Sequence, residues 1–124
     1  MERAKTLYEH LGDERLQELI NRFYARVFDS PVIGPLFNQT DAEVIKDKQY
    51  CFLTQLLGGP QRYAEKYGQP KMRMRHLPHA ITQEAKDEWL SLMETSINEL
   101  DMSDELKKAL YLVFPKIAQH MVNR

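Results

Sequence analysis

A chain of 124 residues has room for one ordinary domain and too little for two; its 43% hydrophobic and 28% charged residues fit a globular, water-soluble class. With 17 basic against 18 acidic residues the formal net charge is −1, which gives no electrostatic case for nucleic acid or an anionic membrane as partner. The single cysteine, Cys51, excludes an internal disulfide, no run reaches the roughly 20 apolar residues that span a bilayer, and Met1-Glu2-Arg3-Ala4-Lys5 leads into no signal-type segment, so a cytoplasmic location is expected.

A short first helix is expected over Lys5 to Leu11. The first long helix follows, where Leu16, Leu19, Ile20, Phe23, Tyr24, Val27 and Phe28 recur at helical spacing, with Asp13 as the expected N-cap. Ser30-Pro31 and Gly34-Pro35 end it, because proline lacks a donor and disfavours helix at the residue before it. Thr40 with Glu43 forms a capping-box pattern for a second long helix. That helix carries Val44, Ile45, Lys48, Gln49, Phe52, Leu53 and Leu56 near one face and stops at Gly58-Gly59-Pro60. From Pro60 to Ile81 no apolar period is sustained, and the expectation is loop with one short helix around Lys71 to Leu77. Thr82 caps a third long helix with Ala85, Trp89, Met93, Ser96, Ile97 and Leu100 on its inner face. Ser103 opens the last, whose inner face reads Leu106, Leu110, Val113, Ile117 and Met121; Pro115 should kink it. No segment alternates long enough to be a strand, so the fold class is all-α and residues 1–124 read as one domain.

Standard catalytic signatures are missing: there is no Gly-rich phosphate loop, no Cys-x-x-Cys, no Cys-x-x-Cys-His and no His-Glu-x-x-His. The residues that stand out are few. His76, within Met72-Arg73-Met74-Arg75-His76-Leu77-Pro78-His79, taken alone reads as a surface histidine. Its adaptable apolar and cationic neighbours also suit a planar amphipathic cofactor bearing carboxylates, and imidazole is a common axial ligand for haem iron. Gln49 interrupts an apolar stripe, which calls for a hydrogen-bond partner, interior or functional. Tyr24 and Trp89 occupy inner positions, as core aromatics with satisfied polar tips or as donors to a shared pocket. Cys51 reads as a buried, inert thiol, and His10, His79 and His120 as structural or exposed.

These segments in combination resemble the truncated haemoglobins, most closely their group II. The resemblance is carried by Phe23-Tyr24-x-x-Val27, Pro35-Leu36-Phe37, Phe52-Leu53-Thr54-Gln55, Leu57-Gly58-Gly59-Pro60, Arg73-Met74-Arg75-His76, Ile81-Thr82, Trp89 and the tail His120-Met121-Val122-Asn123. It implies an abbreviated globin fold: a two-over-two helical sandwich around one haem b, with 1–124 as a single truncated-globin domain. It implies His76 as the iron's proximal ligand and Tyr24, Gln49 and Trp89 as distal hydrogen-bond donors. Phe37, Ile45, Phe52, Leu53 and Met72 would line the cofactor, and helical periodicity adds Met93, Ile97 and Met121 as pocket-wall positions. Lys48, Arg75 and Tyr63 would meet its propionates. The sequence departs from the family at Gly12-Asp13, where a glycine pair is usual, and at Ile45, His79 and Pro115.

The function implied is reversible, high-affinity O2 binding, with NO or CO as further gas ligands. A protein with several distal donors would unload O2 poorly, although oxygen binding and transport is the activity class. The alternatives are NO dioxygenation or peroxide chemistry fed by an external reductase, a gas or redox sensor, and a haem-free helical interaction module. The balanced surface charge suits a monomer or a homodimer.

Overall fold

Apolar residues three and four positions apart make one stripe of a helix inward-facing, and the longest such stripe organises this protein. A computed structural model describes residues 5–37, 41–68 and 81–123; Thr40, Met72, Arg73, Met74, Arg75, His76, His79 and the short helix expected from Lys71 to Leu77 lie outside them. Helix α1 (Leu7–Leu11) leads into α2 (Asp13–Asp29), which buries Leu16, Leu19, Ile20, Phe23, Tyr24 and Val27. Phe28, expected on the same inner stripe, is 37% exposed. The N-cap of α2 is Gly12, at φ +84°, and Asp13 is the first helical residue instead of the cap. Glycine takes that backbone geometry without strain, and Asp13 still favours the positive end of the helix dipole.

Ser30 ends α2, accepting hydrogen bonds from the N–H groups of Val32 and Ile33, both at 3.2 Å. A 3-10 turn over Gly34–Phe37 follows. Helix α3 (Ala42–Leu56) is capped by Asp41, whose carboxylate accepts from the N–H of Glu43 at 2.9 Å and of Val44 at 3.3 Å. The cap is thus one residue beyond the expected Thr40, and an aspartate there does the same work as a threonine. After Gly58-Gly59-Pro60 comes α4 (Arg62–Tyr67), within a stretch expected to be loop. A side chain on Gly59 would stand 2.6 Å from the Tyr8 ring, so this turn admits α1 only because glycine occupies it.

Thr82 caps α5 (Gln83–Asn98) by accepting from the Ala85 N–H at 3.0 Å, as expected. The last predicted helix is two: α6 (Asp104–Tyr111), capped by Ser103, and α7 (Phe114–Met121), with Pro115 in its first turn. Proline is tolerated where an N–H needs no helical acceptor, so Pro115 begins a helix rather than kinking one. Phe114, outside the predicted face, takes an inner position.

Helix α2 packs on α3 and on α5, and α5 packs on α7 and α6; α4 lies against α3. The result is two helical pairs, α2 with α3 and α5 with α7, meeting where α2 crosses α5. Leu16, Leu19, Phe23, Val27, Leu53, Met93, Ile97, Leu100 and Leu110 fill the centre. Thr54 and Ser96 are buried there too, each hydroxyl donating at 2.8 Å to the carbonyl four residues back. No helix among the described residues is long and apolar enough to cross a membrane.

Candidate functional site

Only part of the α3 surface belongs to this core. Leu53, like Cys51 and Thr54, is buried, while Ile45 and Phe52 pack against the core yet remain half in solvent. Phe37 and Trp89 are in the same position, from the 3-10 turn and from α5. Each is thus an apolar side chain that the core covers only in part.

Tyr24, on α2, is 2% exposed. Its ring meets Phe23 at 5.0 Å, Phe28 at 5.8 Å and Phe37 at 6.2 Å between centroids. Trp89 stands edge-on to Phe23 at 5.0 Å, so Phe23 separates and supports the two polar aromatics. The Tyr24 hydroxyl donates to Gln49 Oε1 at 3.2 Å, joining α2 to α3. Tyr24 has one proton to give, and in this arrangement Gln49 takes it. The Gln49 amide N–H groups and the Trp89 indole N–H have no hydrogen-bond acceptor among the described residues. Burial pushes the Tyr24 hydroxyl well above the ordinary phenol range, so it stays a neutral donor.

Lys48 lies one residue before Gln49. Its ammonium stands 5.5 Å from the centre of the Tyr67 ring and makes no ion pair among the described residues. Tyr67 donates to Asp47 Oδ2 at 2.5 Å, and Lys66 pairs with the same oxygen at 2.7 Å. Those two contacts, Lys66 first, hold the Asp47 carboxyl below its ordinary range. Tyr63 is 3% exposed, packed against Phe52 at 5.9 Å and Tyr67 at 5.2 Å. Met93 and Ile97 are fully buried in the central core, and Met121 closes its α7 end. Cys51 is 4% exposed, and burial raises its thiol, in keeping with an inert role. His10 and His120 are exposed.

The structure therefore brings Tyr24 and Gln49 into contact and leaves Phe37, Ile45, Phe52 and Trp89 half-buried against the core. Phe28 as a ring neighbour of Tyr24, and Tyr67 with Asp47 beside Lys48, were missed. Phe28 carries a usable signal, since it follows Tyr24 by four residues on one helix face. Asp47 and Tyr67 carry none, because an acid on α3 and a tyrosine on α4 meet only through the fold. An open groove of about 550 Å³ on the other side of α2, bordered by Arg22, Arg26, Glu88 and Glu99, includes none of the expected site residues.

The bacterial-like globin family matches residues 6–123. The chain belongs to this family of globins. It is 41% identical over 117 residues to group 2 truncated hemoglobin YjbI of Bacillus subtilis, covering 94% of this chain and 88% of that protein. It is 32% identical to group 2 truncated hemoglobin 3-1 of Lotus japonicus, covering 94% and 71%. The crystal structure of the group II truncated haemoglobin of Bacillus anthracis matches with a TM-score of 0.92 at 35% identity, covering 98% of this chain and 94% of that one. The Bacillus subtilis truncated haemoglobin described as oxygen-avid matches with a TM-score of 0.90 at 40% identity, covering 96% and 100%. The two-over-two arrangement is thus the truncated globin fold.

Family membership implies one haem per chain and the binding of a diatomic gas, and it sets the haem-free module aside. The residues of this globin fit such a group. The half-buried side chains of Phe37, Ile45, Phe52 and Trp89 leave apolar area of the kind a flat apolar ring covers. Amide and indole donors without acceptors among the described residues suit a polar gas ligand, and the Lys48 cation suits a carboxylate.

Proposed function

We propose that this globin binds O2 reversibly and with high affinity, with His76 as the proximal iron ligand and Tyr24, Gln49 and Trp89 acting on the distal side. When bound, the haem supplies the coordination position at which a diatomic gas is held. The observation that carries the distal reading is the Tyr24–Gln49 hydrogen bond at 3.2 Å beside Trp89. By accepting from Tyr24, Gln49 Oε1 fixes the amide plane, and its two N–H groups become the donors available to a ligand. The Trp89 indole supplies a second, from another helix. Tyr24 is then chiefly a positioning residue, with Gln49 and Trp89 nearer the ligand. The kinship with a haemoglobin described as oxygen-avid supports tight O2 binding. At the rim, Lys48 and Tyr63 are assigned to the propionate side with Arg75, and Phe37, Ile45, Phe52, Leu53, Met72 and Met93 to the cofactor's apolar surround.

A hydrogen bond to a ligand that gains negative charge is worth about 1.5–3 kcal/mol, which slows release by about ten- to a hundredfold. Stopped-flow O2 release from the haem-loaded protein tests this. Trp89→Phe and Gln49→Leu should release O2 faster by about that factor, and Tyr24→Phe by less. Rates equal to the wild type in all three variants would overturn the distal reading.

A further inference from the structure

Asp13 lies outside the residues assigned to gas binding, and it stands where the family usually has a glycine. Nor does it cap α2, whose N-cap is Gly12. Its carboxylate instead takes two phenols. Tyr8 of α1 and Tyr50 of α3 both donate to Oδ1, Tyr8 at 3.3 Å, while Gln17 donates to Oδ2 at 2.7 Å. One nitrogen of Arg62, from α4, donates to the Tyr8 and Tyr50 oxygens at 3.3 and 3.1 Å and stands 3.9 Å from Asp13 Oδ1. Both rings are half-buried against the core.

A phenol gives up an electron readily only when its proton leaves too, because the cation left by electron loss alone is a strong acid. A carboxylate that already accepts that proton's hydrogen bond is placed to receive it. Asp13 is ionised for this purpose: the Tyr50 bond, more than any other contact, holds its carboxyl below the ordinary range. Arg62 keeps a donor on the phenol oxygen before and after the proton moves. Tyr67 with Asp47 is a second phenol–carboxylate pair, but the oxygen it uses also holds the Lys66 ammonium at 2.7 Å. An oxygen engaged by a cation that closely is a poorer proton acceptor. We propose that Tyr50, with Asp13 as its proton acceptor, is the preferred one-electron donor of this protein, a use separate from gas binding. In the step the Tyr50 O–H bond breaks and its proton forms an O–H bond on Asp13 Oδ1. One electron passes to a strong one-electron oxidant, which is reduced by one, and a neutral tyrosyl radical remains. A haem centre oxidised by peroxide belongs to that class of oxidant. A globular chain of this length has a radius of gyration of about 14 Å, so no tyrosine is remote from the haem that the family carries.

The test uses the full-length, haem-loaded ferric protein as wild type, Tyr50→Phe, Asp13→Asn and Tyr67→Phe. Two oxidants are applied: flash-generated tris(bipyridine)ruthenium(III), which acts from solution, and hydrogen peroxide, which acts through the haem. The readout is the tyrosyl radical, trapped by rapid freezing and quantified by electron paramagnetic resonance. The wild type should form it with either oxidant, and Tyr50→Phe should lose most of the signal with both. Asp13→Asn keeps an accepting oxygen but removes the base, and it should lose most of the signal as well. Tyr67→Phe should keep the wild-type yield. A wild-type yield in Tyr50→Phe would overturn the inference, because the electron then comes from elsewhere. A wild-type yield in Asp13→Asn would overturn it too, because the proton then goes elsewhere, as would the absence of any radical in the wild type under ruthenium. A Tyr50-dependent radical with ruthenium and none with peroxide upholds the pair and removes the haem as its oxidant.

Discussion

At the scale of single residues, the division of labour between Tyr24 and Gln49 follows from proton counting. A phenol hydroxyl donates once, and Gln49 Oε1 is its acceptor. Burial raises the Tyr24 hydroxyl well above its ordinary range, so its proton stays in place throughout the pH range in which the fold persists. Neither an indole nor an amide titrates there. O2 release should therefore be flat from about pH 6 to about pH 10, although an unperturbed phenol would begin to ionise near the upper limit. Stopped-flow traces across that range check it; an inflection near pH 10 that disappears in Tyr24→Phe would contradict the buried, neutral assignment. Part of this site could be read from the sequence. A glutamine on an apolar stripe, and a tyrosine and a tryptophan at inner positions, stand out because polar atoms there need partners. That Tyr24 partners Gln49, and that Phe23 lies between Tyr24 and Trp89, could not be read, since periodicity assigns faces to helices and not neighbours across them.

At the scale of elements, α4 was the largest surprise. Arg62–Tyr67 has no apolar period of its own, and its six residues are too few to be a stable helix in isolation. Contacts from elsewhere hold it. Tyr63 is buried against Phe52, the Ala64 N–H donates to Gln55 Oε1 at 2.9 Å, and Arg62 joins a knot with α1, α2 and α3. In that knot Arg62 donates to the Tyr50 hydroxyl at 3.1 Å and to the Tyr8 hydroxyl at 3.3 Å. Asp13 accepts from Tyr8 at 3.3 Å and also from Tyr50. The long helices, by contrast, were legible because each carries its own stripe and its own cap; their ends moved by a residue where Gly12 and Asp41 replaced the expected caps. The knot also fixes a pH dependence. The Tyr50 hydrogen bond, more than any other contact, holds the Asp13 carboxyl below its ordinary range. A depressed acid stabilises the fold at pH values above its unfolded-state pKa, and that contribution is lost as pH falls through the folded value. Tyr50 is raised, by burial first and by Asp13 next, so its contribution is present below about pH 10 and lost as pH rises beyond it. Asp13→Asn keeps an accepting oxygen but no titrating group. Its urea midpoint should fall less steeply than the wild type between about pH 5 and about pH 3. Parallel acid limbs would show that Asp13 contributes nothing through its charge.

At the scale of the whole molecule, apolar burial is unequal between the region where α2 meets α5 and the region where α3 meets α4. The α2–α5 side carries the dense core of Leu16, Leu19, Phe23, Val27, Met93, Ile97 and Leu110, reinforced by the Arg26–Glu99 pair at 2.6 Å. On α3, Ile45 and Phe52 are half-buried and Val44 exposed, while Phe37 of the 3-10 turn is half-buried and Phe28 near the end of α2 exposed. Apolar area left in water contributes nothing until something covers it, and the haem that this family carries is a flat apolar body of the right kind. A ligand that binds only the folded state stabilises it by about 4 kcal/mol at a thousand times its Kd. For a chain of this length that corresponds to roughly 10–20 °C in Tm. Removing haem should therefore lower Tm by at least about that amount, but not evenly over the structure. In the haem-free protein, amides of α3 and α4 should lose most of their protection from hydrogen exchange, while those of α2, α5 and α6 keep theirs. Adding haem back should restore α3 and α4 first, because the surfaces they leave uncovered are the ones that gain. Exchange measured by mass spectrometry separates these segments. A uniform loss of protection across all helices would mean that they fold as one unit, and that the unequal burial seen here has no energetic counterpart.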